Sequence, residues 1–136
     1  MRRRARSLFA VFMAVFAIST TVTPALAVTN EQYNSTLSFY LSAGGACRTY
    51  HGNAIHIQLT TTGASSSQYS IEVWRCTDDR FSTLVGSRGI CEVPDFCGYG
   101  WSIALNGLKY GFYFKRTGGD GHDVIKSNSV QMWSTS

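Results

Sequence analysis

The sequence is poor in charge and proline, and it has no sustained helical periodicity. Charged residues make up 15% of the 136, and only two residues are proline. After residue 27, no window repeats apolar residues at the 3.6-residue period of an amphipathic helix, which argues against a helical or α/β domain. The same region has no apolar run of the ~20 residues that a membrane-spanning helix needs. These absences favour an all-β domain that does not cross a membrane.

Sequence motifs of common catalytic and metal sites are also missing. There is no G-x-S-x-G elbow, and the nearest string, GSRG at 86–89, lacks the spacing. No two cysteines have the C-x-x-C spacing of zinc sites. The three histidines, His51, His56 and His122, do not lie at metal-ligand spacing. We therefore expect a protein that is not an enzyme and has neither a cofactor nor a metal.

Residues 1–27 have the three parts of a secretory signal peptide. A basic start, MRRRAR, precedes an apolar run at residues 8–18, and Ala25-Leu26-Ala27 forms an A-x-A cleavage site. We expect residues 1–27 to be removed on secretion. Residues 28–136 are then one extracellular domain.

The basic charge of the chain lies in this leader. Four of the 12 Lys and Arg residues are Arg2, Arg3, Arg4 and Arg6, so eight remain against eight Asp and Glu. A neutral domain has no electrostatic footprint for nucleic acid or for an anionic membrane. We expect neither as a partner.

Four cysteines, all after the leader, predict two disulfides. We favour Cys91–Cys97, a close pair that flanks Pro94, together with Cys47–Cys76, which would tie the first strand to the third. The alternative pairing is Cys76–Cys91 with Cys47–Cys97.

Apolar residues alternate with polar ones in several short segments, which is typical of half-buried strands. The clearest sets are Leu37, Phe39 and Leu41; Ile55, Ile57 and Leu59; and Tyr69, Ile71 and Val73. Further strands are expected at 84–87, 90–93 and 124–133. Seven or eight short strands predict a small antiparallel β-sandwich of immunoglobulin-like architecture, with a closed barrel as the second choice.

Asn106-Gly107 is the preferred pair for a two-residue type I′ turn. A hairpin at this turn would place six apolar side chains on one face, in the pairs Leu105–Leu108, Ile103–Tyr110 and Trp101–Phe112. We predict this hairpin with this register.

Aromatic side chains suggest the function. The alternation directs Trp74 and Tyr113 away from the core, and Glu72 and His56 also point outward. An exposed aromatic ring beside hydrogen-bonding groups suits a sugar, so we predict that Trp74, Glu72, His56 and Tyr113 bind polysaccharide or cell-wall glycan. The alternative is that a loop, or the chain end near Trp133, covers the outer tryptophan.

Two other functions stay open. A loop closed by Cys91 and Cys97 would present Pro94 and Phe96, as in a secreted enzyme inhibitor. A small hydrolase is the third possibility, since catalytic carboxylates need not be close in sequence. Its candidate acids are Glu72, Glu92, Asp78, Asp79 and Asp95.

Residues 118–126 resemble one copy of the calcium-binding nonapeptide repeat G-G-x-G-x-D-x-U-x. That site is built between stacked copies, and this chain has one, so we expect a plain turn. If calcium does bind, its ligands are Asp120 and Asp123.

Overall fold

The computed structural model describes residues 28–119 and 122–136. These residues contain ten strands and no helix. The expected signal peptide lies outside these residues. The strands are β1 (Thr29–Phe39), β2 (Ser42–Gly44), β3 (Arg48–Tyr50), β4 (Ala54–Thr60), β5 (Thr62–Gly63), β6 (Gln68–Thr77), β7 (Arg80–Glu92), β8 (Phe96–Ser102), β9 (Leu108–Gly118) and β10 (Ile125–Thr135).

The strands form two antiparallel five-stranded sheets. Sheet I has the order β1-β10-β4-β8, with β5 also beside β10. Sheet II has the order β2-β9-β6-β7, with β3 also beside β9. The predicted β-sandwich is confirmed. The sandwich has ten strands rather than the predicted seven or eight, because the ten include three very short ones. These are β2, β3 and β5, of two or three residues each.

The core lies between the sheets and follows the alternation of β4 and β6. Ile55, Ile57 and Leu59 of β4 are at most 2% exposed, and the alternating apolar set of β6, Tyr69, Ile71 and Val73, is fully buried. Burying one such side chain stabilises the fold by about 1.5–3 kcal/mol. Leu41 was expected in the first strand set but is 66% exposed. That expectation is wrong because β1 ends at Phe39 and the chain bends before β2.

The Asn106-Gly107 turn is present, but the predicted hairpin is not. Asn106 and Gly107 have φ values of 57° and 69°, and the Leu108 amide donates a hydrogen bond to the Leu105 carbonyl over 3.1 Å. Positive φ at both central residues is the mark of a type I′ turn.

The strands on either side of this turn belong to different sheets. β8 pairs with β4 in sheet I, and β9 pairs with β3 and β6 in sheet II. Trp101 and Phe112 do meet, with ring centroids 6.1 Å apart, but as side chains from opposite sheets. The predicted hairpin register is therefore wrong, although all six side chains lie in the core or pack against it.

Both favoured disulfides are confirmed. Cys47–Cys76 ties the segment before β3 to the end of β6, and Cys91–Cys97 closes the loop between β7 and β8. Two disulfides fit a protein of an oxidising, extracellular compartment. Within the described residues, no helix is long and apolar enough to span a membrane.

Candidate functional site

The two outer faces of the sandwich separate the four predicted ligand residues. Glu72 and Trp74 on β6 lie beside Tyr113 on β9, on the outer face of sheet II. His56 lies on β4, on the outer face of sheet I. The structure thus brings three of the four together and places the histidine on the opposite side of the molecule.

Three rings form a continuous surface on sheet II, which we call the aromatic platform: Trp74, Phe81 and Tyr113. The Trp74 and Phe81 rings are almost parallel, at 10°, with centroids 6.2 Å apart. Phe81 meets Tyr113 edge to face at 6.3 Å. Sequence reasoning missed Phe81, because bulges in the β6–β7 pairing interrupt the alternation of β7.

Two glycines allow Phe81 to lie across the sheet. An ideal Cβ on Gly111 would be 2.3 Å from Cε1 of Phe81, and one on Gly44 would be 3.2 Å from Cε2. Because neither position carries a side chain, the ring lies over β9 and β2. The platform therefore extends over strands β2, β9, β6 and β7.

Glu72 supplies a charged hydrogen-bonding group at the edge of the platform. The indole Nε1 of Trp74 donates a hydrogen bond to one carboxylate oxygen of Glu72 over 3.1 Å. Trp74, Glu72 and Tyr113 are all half-buried. Trp133 does not cover Trp74, because β10 belongs to sheet I. The indole is instead partly covered by its own platform partner, Phe81.

The outer face of sheet I carries a second group of aromatic and amide side chains. Trp133 of β10 and His56 of β4 stack at 12°, with centroids 5.1 Å apart. The next outward-facing pair on these two strands is Gln58 with Gln131, and Gln58 Nε2 donates a hydrogen bond to Gln131 Oε1 over 2.6 Å. Burial lowers the pKa of His56, because it disfavours the imidazolium form. The alternation had placed His56 outward, but nothing in it indicated that Trp133 would be its neighbour.

Two shallow recesses flank the Gln58–Gln131 pair. One, of about 230 Å³, is lined by Thr29, Gln32 and Trp133 together with both glutamines. The other, of about 350 Å³, extends from the glutamines to Phe96 and to residues 128–129, where the pairing of β10 with β1 is irregular.

The Cys91–Cys97 loop exposes the two residues predicted for an inhibitory segment. Pro94 is exposed, and Phe96 is 59% exposed. The Phe96 ring leans over Gly98, whose ideal Cβ would be 3.2 Å from it, so the ring lies along the outer face of sheet I.

The candidate hydrolase acids fall at three separate places. Asp78 and Asp79 occupy the β6–β7 turn at positive φ, and Asp79 pairs with Lys109 over 2.8 Å. Glu92 and Asp95, both exposed, line an open recess beside the disulfide loop. Glu72 lies mid-strand on the platform.

The structure does not show the calcium ligands suggested by residues 118–126. Asp120 lies outside the described residues. The main-chain carbonyl of Asp123 accepts a hydrogen bond from the Arg116 guanidinium. Over residues 28–119 and 122–136, no three His, Cys, Asp or Glu side chains group to hold a metal ion.

A cleft of about 270 Å³ opens between the edges of the two sheets, at β1 and β2. Its floor includes Phe112, Phe114 and Met132 of the core, and Arg48 lies among its lining residues. None of the predicted site residues lines it.

No protein-family model matches the sequence, and no curated protein matches it significantly. Solved structures with a similar fold exist. The CBM36-1 domain of a multidomain xylanase from the hindgut metagenome of Trinervitermes trinervoides is 7% identical, with a TM-score of 0.48 over 81% of this chain and 92% of that one. The C-terminal CBM6 of a marine laminarinase from Zobellia galactanivorans is 9% identical, with a TM-score of 0.43 over 79% and 91%.

A third similar structure is the K3 cleaved adhesin domain of Lys-gingipain from Porphyromonas gingivalis. It is 11% identical, with a TM-score of 0.41 over 68% of this chain and 63% of that one. The structural neighbours thus include carbohydrate-binding modules and an adhesin domain. At these identities the likeness concerns the β-sandwich fold alone.

Proposed function

We propose that this protein is a secreted, non-enzymatic domain that binds polysaccharide or cell-wall glycan through the aromatic platform. The observation that carries the proposal is the contiguous cluster of Trp74, Phe81 and Tyr113, with the Glu72 carboxylate at its edge. This cluster lies on the outside of a sheet whose inner face already forms the core.

The chemistry of the platform suits a pyranose. Aromatic faces pack against the apolar C–H faces of sugar rings, and each ring contributes a large contact area at little entropic cost. The sugar hydroxyls need polar partners at the rim. The second Glu72 oxygen has no hydrogen-bond partner among the described residues, and a carboxylate forms strong, charge-assisted bonds with hydroxyl donors.

The same geometry favours binding over hydrolysis. Glycosidases use two carboxyl groups about 5–9.5 Å apart on either side of the scissile bond. Of the platform and its rim, only Glu72 contributes a carboxylate. The platform is also an open sheet surface, whereas catalysis profits from a cleft that excludes water.

Inhibition of a secreted enzyme is the second candidate, and the exposure of Pro94 and Phe96 on a disulfide-closed loop supports it. A loop that is closed in advance loses less entropy on binding. Inhibition of a secreted hydrolase that disappears with Pro94→Ala would place this function ahead of glycan binding.

Secretion is part of the proposal and rests on residues 1–27 and the two disulfides. We expect protein from the culture medium to begin at Val28. Its intact mass tests this, and a secreted product that keeps residues 1–27 would contradict it.

Co-sedimentation with chitin, cellulose and peptidoglycan tests the binding function. The sequence Asn34-Ser35-Thr36 is an N-glycosylation sequon, and expression in bacteria leaves it unmodified. The wild type should be retained on at least one polymer, and Trp74→Ala should lose at least ~10-fold in affinity, the scale of a central aromatic contact. Trp74→Phe keeps a ring at the site and should retain most of the binding.

The folded state of each variant is checked by its denaturation midpoint. Because Trp74 is half-buried against Phe81, its truncation should cost only about 1–2 kcal/mol, against about 3–5 for a core residue. Undiminished retention of folded Trp74→Ala would overturn the platform, and no retention of the wild type on any of the polymers would overturn glycan binding.

A further inference from the structure

We propose that the outer face of sheet I is a second glycan-binding surface, suited to an uncharged stretch of polysaccharide, so that one domain binds two chains on opposite sides. We call it the amide surface and define it by Gln32, His56, Gln58, Phe96, Gln131 and Trp133. The proposal takes its ligand class from the proposed function, but none of its residues belongs to the aromatic platform.

Trp133 is the ring that would contact the sugar. In the strand order β1-β10-β4, Trp133 has His56 as its partner on β4 and Gln32 as its partner on β1. The stacked imidazole supports one side of the indole. The orientation of the imidazole itself is fixed by the Thr135 hydroxyl, which lies 3.0 Å from His56 Nε2. On the β1 side, Gln32 and Trp133 line the recess of about 230 Å³.

The paired glutamines next to this ring supply hydrogen-bonding groups without charge. Gln58 and Gln131 use one N–H and one carbonyl oxygen for each other. A primary amide has two N–H donors and a carbonyl with two lone pairs, so the pair keeps an amino group and a carbonyl for a ligand. Adjacent sugar hydroxyls, which both donate and accept, match such a pair. Gln32 adds a third amide at the rim of the recess.

Glycines on β8 shape the far side of the surface. Gly100 and Gly98 pair with His56 and Gln58 on β4. An ideal Cβ on Gly100 would be 2.7 Å from His56 Nδ1, so this bare strand makes room for the imidazole that supports Trp133. Glycine inside a strand weakens it and often marks such a close approach.

The surface is long enough for several sugar units. Phe96 pairs with Thr60, four residues along β4 from the row of His56. At ~3.3 Å per residue, the rows are ~13 Å apart. Phe96, which is 59% exposed, therefore lies at one end and Trp133 at the other, with the amides between them.

The absence of charge sets the ligand class. None of the six side chains is a carboxylate, a lysine or an arginine. Lys126 shares this face of β10 but lies five residues from Gln131, ~17 Å along the strand. A uronic acid or another anionic sugar would find no cation beside the amides. The aromatic platform differs from the amide surface because it has a charged group, the Glu72 carboxylate, at its rim.

Calorimetric titration with cellohexaose and chitohexaose tests the proposal through its stoichiometry. The wild type should bind two oligosaccharides, whereas Trp74→Ala and Trp133→Ala should each bind one. Each truncation should weaken its own site at least ~10-fold, as for a central aromatic contact. Gln58→Ala removes one amide of the pair and should weaken the sheet I site about 3- to 10-fold. This variant serves if Trp133→Ala does not fold. Lys126→Ala, on the same face but outside the surface, should not change binding.

Light scattering with hydroxyethylcellulose or glycol chitin provides the second readout, because a protein with a binding surface on each side joins long chains. The wild type should raise the scattering, and either tryptophan variant should not. Binding of one oligosaccharide that Trp133→Ala and Gln58→Ala leave unchanged would overturn the second surface and leave the platform standing. Binding lost with Trp133→Ala but not with Trp74→Ala would overturn the platform and leave the amide surface standing. No binding of either hexaose by the wild type would overturn both.

Discussion

The indole of Trp101 fills the space in which a side chain at position 86 would begin. An ideal Cβ on Gly86 would lie 2.5 Å from Cδ1 of Trp101 and 2.8 Å from its Nε1. Gly86 belongs to β7 of sheet II and Trp101 to β8 of sheet I, so the contact joins the two sheets across the core. Trp101 is 6% exposed and lies within the core, so an added methyl group at position 86 would press against a packed ring.

Gly86→Ala should therefore lower the free energy of unfolding by about 1–3 kcal/mol, the usual cost of overpacking a core. Gly89→Ala is the matched control on the same strand, because its Cβ would meet no atom within 4 Å. That variant should lie within ~0.5 kcal/mol of the wild type. Urea denaturation measures both, and equal effects at the two positions would contradict the tight contact.

Gly107→Val should cost about 1–3 kcal/mol even though the turn is at the surface. Gly107 has φ of +69°, where a β-branched side chain clashes with the backbone, and its Cβ would also lie 2.6 Å from His51 Nε2. Asn106→Gly is the control, since glycine accepts the φ of 57° at that position without strain. An unchanged denaturation midpoint for the valine variant would refute this turn geometry.

Glu31 should make stability depend on pH. Its carboxylate accepts hydrogen bonds from the Ser134 hydroxyl at 2.6 Å and the His51 amide at 2.7 Å, and it also contacts the His51 ring. Partial burial acts to raise the pKa of Glu31, but these hydrogen bonds and the histidine outweigh it, so the pKa lies below its ordinary value of 4.5.

A carboxylate with a lowered pKa stabilises the fold above its unfolded-state pKa, and this contribution is lost as the pH falls through the folded-state value. Glu31→Gln should thus be less stable than the wild type at pH 7, and the difference should shrink as the pH falls below about 4.5. Glu92→Gln, at an exposed position, is the control. A stability difference for Glu31→Gln that stays constant from pH 7 to 3 would contradict this account.

The two disulfides should contribute unequally. Cys47–Cys76 links residues 29 apart in sequence and Cys91–Cys97 links residues six apart. In the chain-entropy model, removing the first by double Cys→Ser substitution costs about 3–4 kcal/mol and removing the second about 2. Denaturant unfolding of the two double variants measures the order, and a larger loss from the short loop would show that packing rather than loop length decides it.

Local patterns predicted which side chains enter the core. Period-two alternation depends only on the pleat of one strand, and in β4 and β6 it placed all six of the predicted core residues correctly. The conformation of Asn106-Gly107 is equally local. Its φ values agreed with the sequence even though the strands beside it did not pair.

The assignment of strands to sheets could not be obtained in this way. Both partners of β4, and the β9 partner of β6, lie far away in sequence. Nothing near His56 therefore showed that it belongs to a different sheet from Trp74. For the same reason, the stack of His56 on Trp133, 77 positions later in the chain, was not foreseen. The site residues could be listed as outward-facing, but their grouping needed the long-range pairing.

The most direct test of glycan binding uses the indole N–H signals of the three tryptophans in a ¹H–¹⁵N NMR spectrum. Trp74 lies on the platform, Trp133 on the amide surface, and Trp101 in the core, where it serves as an internal control. On titration with chitohexaose or cellohexaose, we expect the Trp74 and Trp133 signals to shift in a saturable way and the Trp101 signal to stay in place. Signals of Trp74 and Trp133 that remain unmoved at millimolar concentrations of both sugars would contradict it.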